Sequence, residues 1–161
     1  MTTAKIKRSQ VATFLNTTPS STATYSRLGD GVSSGTIEYN PKVTEETYVH
    51  EDNATKTIDS YAPVMSIEAT AVNGDAVFEF IDDLRIARAV LDDAETDIVE
   101  VRMYETGGPT AYPAEKQNVA IQIDSFGGDG GTATKINYTI NYIGDPVVGT
   151  FNASTSAFTA S

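Results

Sequence analysis

The side chains best suited to chemistry are few and do not converge along the chain. The single histidine, His50, sits beside Glu51 and Asp52 on a polar stretch. A nucleophilic triad needs an activated nucleophile and an orienting acid around such a base, and no nucleophile is marked near it. One histidine without any cysteine cannot build a zinc site. Adjacent carboxylates occur at Glu45-Glu46, Glu51-Asp52, Asp82-Asp83 and Asp92-Asp93. Two carboxylates can cleave a glycosidic bond, but neighbouring acids in a loop or on a helix face are ordinarily just solvated, and there is no tryptophan to make a sugar platform. The acidic, glycine-rich run 124–131 lacks the ligand spacing and closing glutamate of a calcium loop and fits a hairpin turn better. Gly29-Asp30-Gly31 lacks the strand-to-helix context of a phosphate loop. Asn16, Asn53, Asn137 and Asn152 each open an Asn-x-Ser/Thr triplet, which a Ser/Thr-rich chain produces by chance. No catalytic, metal or cofactor site is assigned, and the chain is expected not to be an enzyme.

The overall balance points elsewhere. Eleven basic against twenty-two acidic residues leave a formal charge of −11. Gripping a nucleic-acid backbone needs clustered Lys and Arg to release counterions, so ordinary nucleic-acid binding is excluded. A surface that handles DNA by repelling it stays compatible. A length of 161 residues suits one domain, and 40% apolar with 20% charged residues is a globular composition. Without cysteine there is no disulfide framework, so stability must come from packing and assembly. Residues 1–10 carry Lys5, Lys7 and Arg8 with no apolar run behind them, and 11–15, interrupted by Thr13, is too short for a signal peptide or membrane span. The expectation is a protein made and used in the cytoplasm, or in a particle assembled there, with no membrane partner.

The elements are mostly strands. Residues 9–35, dominated by Ser, Thr and Gly, read as an arm with isolated apolar anchors. A short strand at 36–39 ends at Pro41, since proline cannot donate to a ladder. Residues 40–57 read as a long polar connection without a clean period. A strand at 58–71, bent at Pro63, places Met65, Ile67 and Ala69 on one face. At Gly74-Asp75 the character changes: Asp75 is a good N-cap, and Val77, Phe80, Ile81, Leu84, Ala87 and Leu91 recur at helical spacing. A helix over about 75–91 follows. Val99, Val101 and Met103 alternate as a half-buried strand, and 105–117 is a loop. Val119, Ile121 and Ile123, then Ile136, Tyr138, Ile140 and Tyr142, alternate on either side of a glycine turn, a strong hairpin signal. Gly144-Asp145-Pro146 reads as a turn before a last strand, 147–151. Layer rules then give a mainly β, antiparallel β-sandwich with one flanking helix, a long loop and extended terminal arms.

The stretch 119–131 (VAIQIDSFGGDGG) and 135–151 (KINYTINYIGDPVVGTF) resembles the C-terminal half of major tail tube proteins of long-tailed (siphovirus-like) phages. Upstream, 28–32 (LGDGV), 37–41 (IEYNP) and the segment 48–54 match that family's order of turn, strand and loop. The resemblance spans roughly 25–151 and carries no catalytic signature. It implies a single tail-tube domain, with 1–24 an N-terminal arm, 25–151 the sandwich plus helix, and 152–161 a C-terminal tail.

The function so implied is structural: six copies per ring, rings stacked into the tail tube, and sheets of neighbouring subunits joined into a continuous inner barrel. The long loop and the arms would reach the adjoining ring, and Glu45, Glu46, Tyr48, His50, Glu51 and Asp52 are the candidate inter-ring contact residues. Implied partners are further copies of the chain and the tail-tip, tail-terminator and tape-measure proteins. DNA would pass through the lumen during ejection without specific binding, and no cofactor is implied. The location would be the virion tail, assembled in the host cytoplasm. Joined strand edges satisfy backbone groups that otherwise invite aggregation, and a negative wall lets DNA slide. The alternative is a monomeric β-sandwich module, an adhesin or carbohydrate-binding domain, using the acidic loop 40–57 as its binding edge.

Overall fold

The computed structural model describes residues 3–105 and 107–161. In chain order the elements are β1 (Val11–Asn16), β2 (Tyr25–Arg27), β3 (Val32–Glu38), β4 (Lys42–Glu46), β5 (Thr55–Ser60), β6 (Val64–Thr70), α1 (Ala76–Ala87), β7 (Glu95–Arg102), β8 (Tyr112–Gly127), β9 (Lys135–Asn152) and β10 (Ala157–Ala160). All pairings are antiparallel. The main sheet runs β2-β1-β7-β8-β9-β6-β3, with β10 added beside β9, and β4–β5 form a separate two-stranded sheet.

The long β8–β9 hairpin is the spine, as the alternation around the glycine turn requires. Ile121 pairs with Ile140 and Ile123 with Tyr138, and β6 continues the rows with Met65 opposite Ile140 and Ile67 opposite Tyr138. Gly144, Asp145 and Pro146 do not turn the chain. They form a bulge inside β9, between the pairs Asn118–Ile143 and Lys116–Val147, after which β9 continues along β8. A proline is tolerated there because a bulge needs no ladder donor, and bulges bend the strand that carries them. The sheet curls, so Leu15 of β1 and Ile98 of β7 share one core with Met65 and Ile67 of β6, Ile136 and Ile140 of β9, and Val77 and Ile81 of α1.

A second core lies on the other face of β1 and β7, where Phe14, Tyr25, Val99, Val101, Ala114 and Phe151 meet. The Phe14 and Phe151 rings pack with centroids 4.4 Å apart, tilted by 36°. β1 is therefore buried on both faces, from Ala12 to Asn16, and is an interior strand where the sequence suggested an arm. Strands covered on both sides lose the polar alternation that marks a half-exposed one. Residues 157–160, expected in a free tail, pair with β9 as β10, with Phe158 opposite Phe151.

α1 is shorter than the 75–91 expected. Asp75 caps it, its Oδ2 accepting from the Phe78 N–H at 3.1 Å. Arg88 ends it in the left-handed region, its N–H reaching the carbonyls of Arg85 and Leu84. Val77 and Ile81 point into the core, whereas Leu91, assigned to the apolar stripe, is 84% exposed.

Candidate functional site

The residues expected to contact another ring lie together, on a hairpin. β4 and β5 pair from Lys42–Ser60 to Glu46–Thr55, so the expected loop is a two-stranded ribbon with a tip at residues 47–54. Glu45 and Glu46 end β4, and Tyr48, His50, Glu51 and Asp52 form the tip. Glu45 is bridged to Lys56 at 3.2 Å, and Thr44 donates to Asp59. Glu51 folds back over the tip, accepting from the Thr55 hydroxyl at 2.7 Å, while His50 approaches it at 3.7 Å. No residue of the ribbon is buried, and Val43, Tyr48, Val49 and Ile58 are exposed. An isolated two-stranded ribbon is marginal in water, and exposed apolar groups along it suit a surface covered in an assembly. Its base is pinned to the body: the Ala62 N–H donates to the Tyr39 carbonyl at 3.0 Å, and the Tyr39 and Tyr61 rings meet edge to face at 6.3 Å.

A groove of about 800 Å³ opens beside that base. Ile37, Tyr39 and Tyr61 form one wall, Tyr142 and Pro146 another, and Asp59, Glu100, Glu115 and Asp145 bring four carboxylates without a cation among its lining residues. Glu100 accepts from the Tyr142 hydroxyl. Burial pushes the Glu100 carboxyl above its usual range, with the Tyr142 hydrogen bond acting the other way. Tyr142 is pushed up too, first by burial and then by the Glu100 charge. Glu115 is paired with Arg102 at 3.0 Å. Sequence reasoning missed this groove because Tyr39, Glu100 and Tyr142 are far apart in the chain and none belongs to a motif.

Strand edges form the third feature. β7 pairs with β8 only as far as Ala120, opposite Glu95. Beyond it, residues 121–127 of β8 have a strand on the β9 side alone, and β3 is the last strand at the other end of the order. The half-sheet β8-β9-β6-β3 thus has two edges without a strand partner, that of β3 carrying the Arg8 guanidinium, which donates to the Gly35 carbonyl at 3.1 Å. The face of the half-sheet turned away from the core is mostly polar: Ser66 lies level with Thr139 and Gln122, and Glu68 with Asn137 and Ser125, with Val64 and Ala120 on the row of Asn141. These side chains bond to one another, Thr139 to Asp124 at 2.6 Å and Asn137 to Ser125 at 3.0 Å. Lys135 is the cation on these rows, bound to Thr70 at 3.1 Å. Among the described residues, no three His, Asp or Glu side chains are placed to hold a metal ion, and no helix is long and apolar enough to cross a membrane.

No protein-family model and no curated protein matches the chain. Solved structures do. The chain is similar to one from the tail of an empty GTA particle, refined helically with C6 symmetry, with a TM-score of 0.62 at 12% identity over 97% of this chain and 100% of that one. It is similar to a sheath/tube terminator of an extracellular contractile injection system (TM-score 0.55, 10% identity, 92% and 99% covered). A third similarity is to the tube-terminating cap of the anti-feeding prophage (0.55, 14%, 93% and 94%). The chain shares its fold with these tail and tube structures. The fold does not single out the siphovirus-like group, since the similar structures include parts of contractile systems.

Proposed function

We propose that this chain is a non-enzymatic structural subunit of a phage-like tail tube, forming six-membered rings that stack coaxially in the virion tail. The observation that carries this reading is the half-sheet β8-β9-β6-β3, without a strand partner at either edge and mostly polar on one face. β3 runs antiparallel to β8, so the unpaired edge of β3 on one copy can extend the ladder of β8 on the next. A head-to-tail contact of this kind closes into a ring when the rotation between copies closes, and closure removes every exposed edge of the half-sheet. The polar face would then line the lumen, and the β4–β5 hairpin would reach the adjoining ring through Tyr48 to Asp52. Tail-tip, terminator and tape-measure proteins are the partners such a tube requires, and DNA is the cargo its acidity suits, passing without being bound.

Electron microscopy of the purified, concentrated protein, with and without tail-tip components, tests the proposal. Six-fold rings or tubes are expected. A protein that stays monomeric beside a competent tip complex would instead be a monomeric binding module, and glycan binding would then be the next measurement.

A further inference from the structure

The end of α1 presents an apolar knob that its own chain does not cover. Ile86, Val90 and Leu91 are each more than half exposed. Arg88 and Leu91 both adopt left-handed backbone, at φ 47° and 54°, a conformation that L-residues hold at a cost and that clusters at functional positions. Arg88 makes no ion pair among the described residues. Val90 and Arg88 also line a hollow against Ile121 and Ile123, at the open edge of β8. The neighbouring acids Asp92 and Asp93 line a different hollow, with Pro19 and Ser20.

We propose that this knob docks into the groove of Ile37, Tyr39 and Tyr61 on the next copy of the chain in the ring, bringing Arg88 to its acidic wall at Glu100. Two arguments name a second copy as the occupant. The first is charge complementarity: the groove is lined by four carboxylates and no cation, of which Glu115 is paired with Arg102 and Asp59, Glu100 and Asp145 make no ion pair among the described residues, while the knob carries an arginine without an ion pair among them. The second is continuity with the edge. Ile121 lies level with Ile140, Met65 and Ile37 across the half-sheet, and Ala120, one residue before it, pairs with Glu95. A neighbour's β3 added to β8 at the same level therefore sets its Ile37 and Tyr39 beside residues 88–94, which lead into Glu95. Apolar anchors in a pocket rimmed by charge carry most of the energy of such contacts. The inference rests on the ring reading and adds a named lateral contact to it.

The chain has no cysteine, so Leu91→Cys combined with Tyr39→Cys gives a clean test. Disulfides form only between Cα atoms within about 7 Å. Oxidised tubes of the double variant should run on a non-reducing gel as a ladder of linked subunits, and either single variant should not. Tubes without a pair-specific ladder overturn the contact and leave the ring reading standing, and so does a disulfide confined within one subunit. Leu91→Asp keeps the test decisive if the cysteines impede assembly. It should raise the concentration needed for assembly about tenfold or more while the monomer melts as before, and unchanged assembly overturns the contact. A parent protein that forms no rings under any condition overturns both.

Discussion

Glu100 and Asn16 show the two ways in which this fold handles a polar side chain inside the sheet. Asn16, 4% exposed, is fully engaged: its amide donates to Asp97 at 2.8 Å and its carbonyl accepts from the backbone of Thr18 and Thr24. Asp97 also accepts from Tyr25, whose phenol is pushed up by burial and then by that carboxylate. This network fixes the corner between β1 and β2, because a buried polar group is stable only when hydrogen-bonded. Glu100 has one hydrogen-bond donor, Tyr142, and burial lifts its carboxyl above the ordinary range. The folded state then keeps the proton over a window that opens at about pH 4.3, where the unfolded chain has lost it, so stability falls as pH rises through that window. Glu100→Gln keeps an acceptor for Tyr142 and removes the charge. The variant should melt higher than the parent near neutral pH, with the gap closing toward about pH 4. Thermal melts across that range check this, and a gap independent of pH would show that the buried charge is not its cause.

At the scale of elements, the β4–β5 hairpin buries nothing within the chain, and its base is already closed by the Tyr39–Ala62 hydrogen bond. Replacing residues 43–58 by a short glycine linker should therefore change monomer stability by less than about 1 kcal/mol, as expected of surface changes, while abolishing the stacking of rings. Chemical denaturation and electron microscopy of the same preparation separate the two effects, and normal tubes would remove the hairpin from the inter-ring contact. The elements differ in how legible they were from sequence, for physical reasons. α1 was readable because Asp75 caps it and one face meets the core at a 3.6 period. The β8–β9 hairpin was readable because one face is buried and the other wet. β1 was not, since burial on both faces erases the alternation. β4 and β5 were not, since neither face is buried and no alternation arises. Gly144-Asp145-Pro146 has the local chemistry of a turn, and only the pairing of β9 with β8 on both sides of it shows a bulge. Of the candidate site, the hairpin tip was legible as a polar protrusion. The open edges and the groove were not, because each is made by residues distant in sequence that pairing alone brings together.

For the whole molecule the question is what a charge of −11 does. Ten of the twenty-two acids lie between Asp75 and Glu105: six, from Asp75 to Asp93, are on and around α1, and Glu95, Asp97, Glu100 and Glu105 are on or just after β7, away from the polar face of the half-sheet. On that face the carboxylates are Glu38, Glu68 and Asp124, set among Ser, Thr, Asn and Gln. If the face lines the lumen, DNA meets a hydroxyl- and amide-rich wall with a modest negative field. Six copies carry about −66 in all, most of it elsewhere, so the wall repels phosphate without strongly confining it. Changing both Glu68→Lys and Asp124→Lys moves a six-copy ring to about −42 and puts twelve cations on the face. Both side chains are exposed in the chain, so tubes should still form. DNA release should slow, most at low ionic strength, and recover as salt screens the added charge. Glu68→Gln with Asp124→Asn separates loss of repulsion from gain of attraction: that pair should release DNA almost as the parent does. If the lysine variant assembles and its release rate matches the parent at every salt concentration, this face does not line the channel, and the acids around α1 become the wall to test.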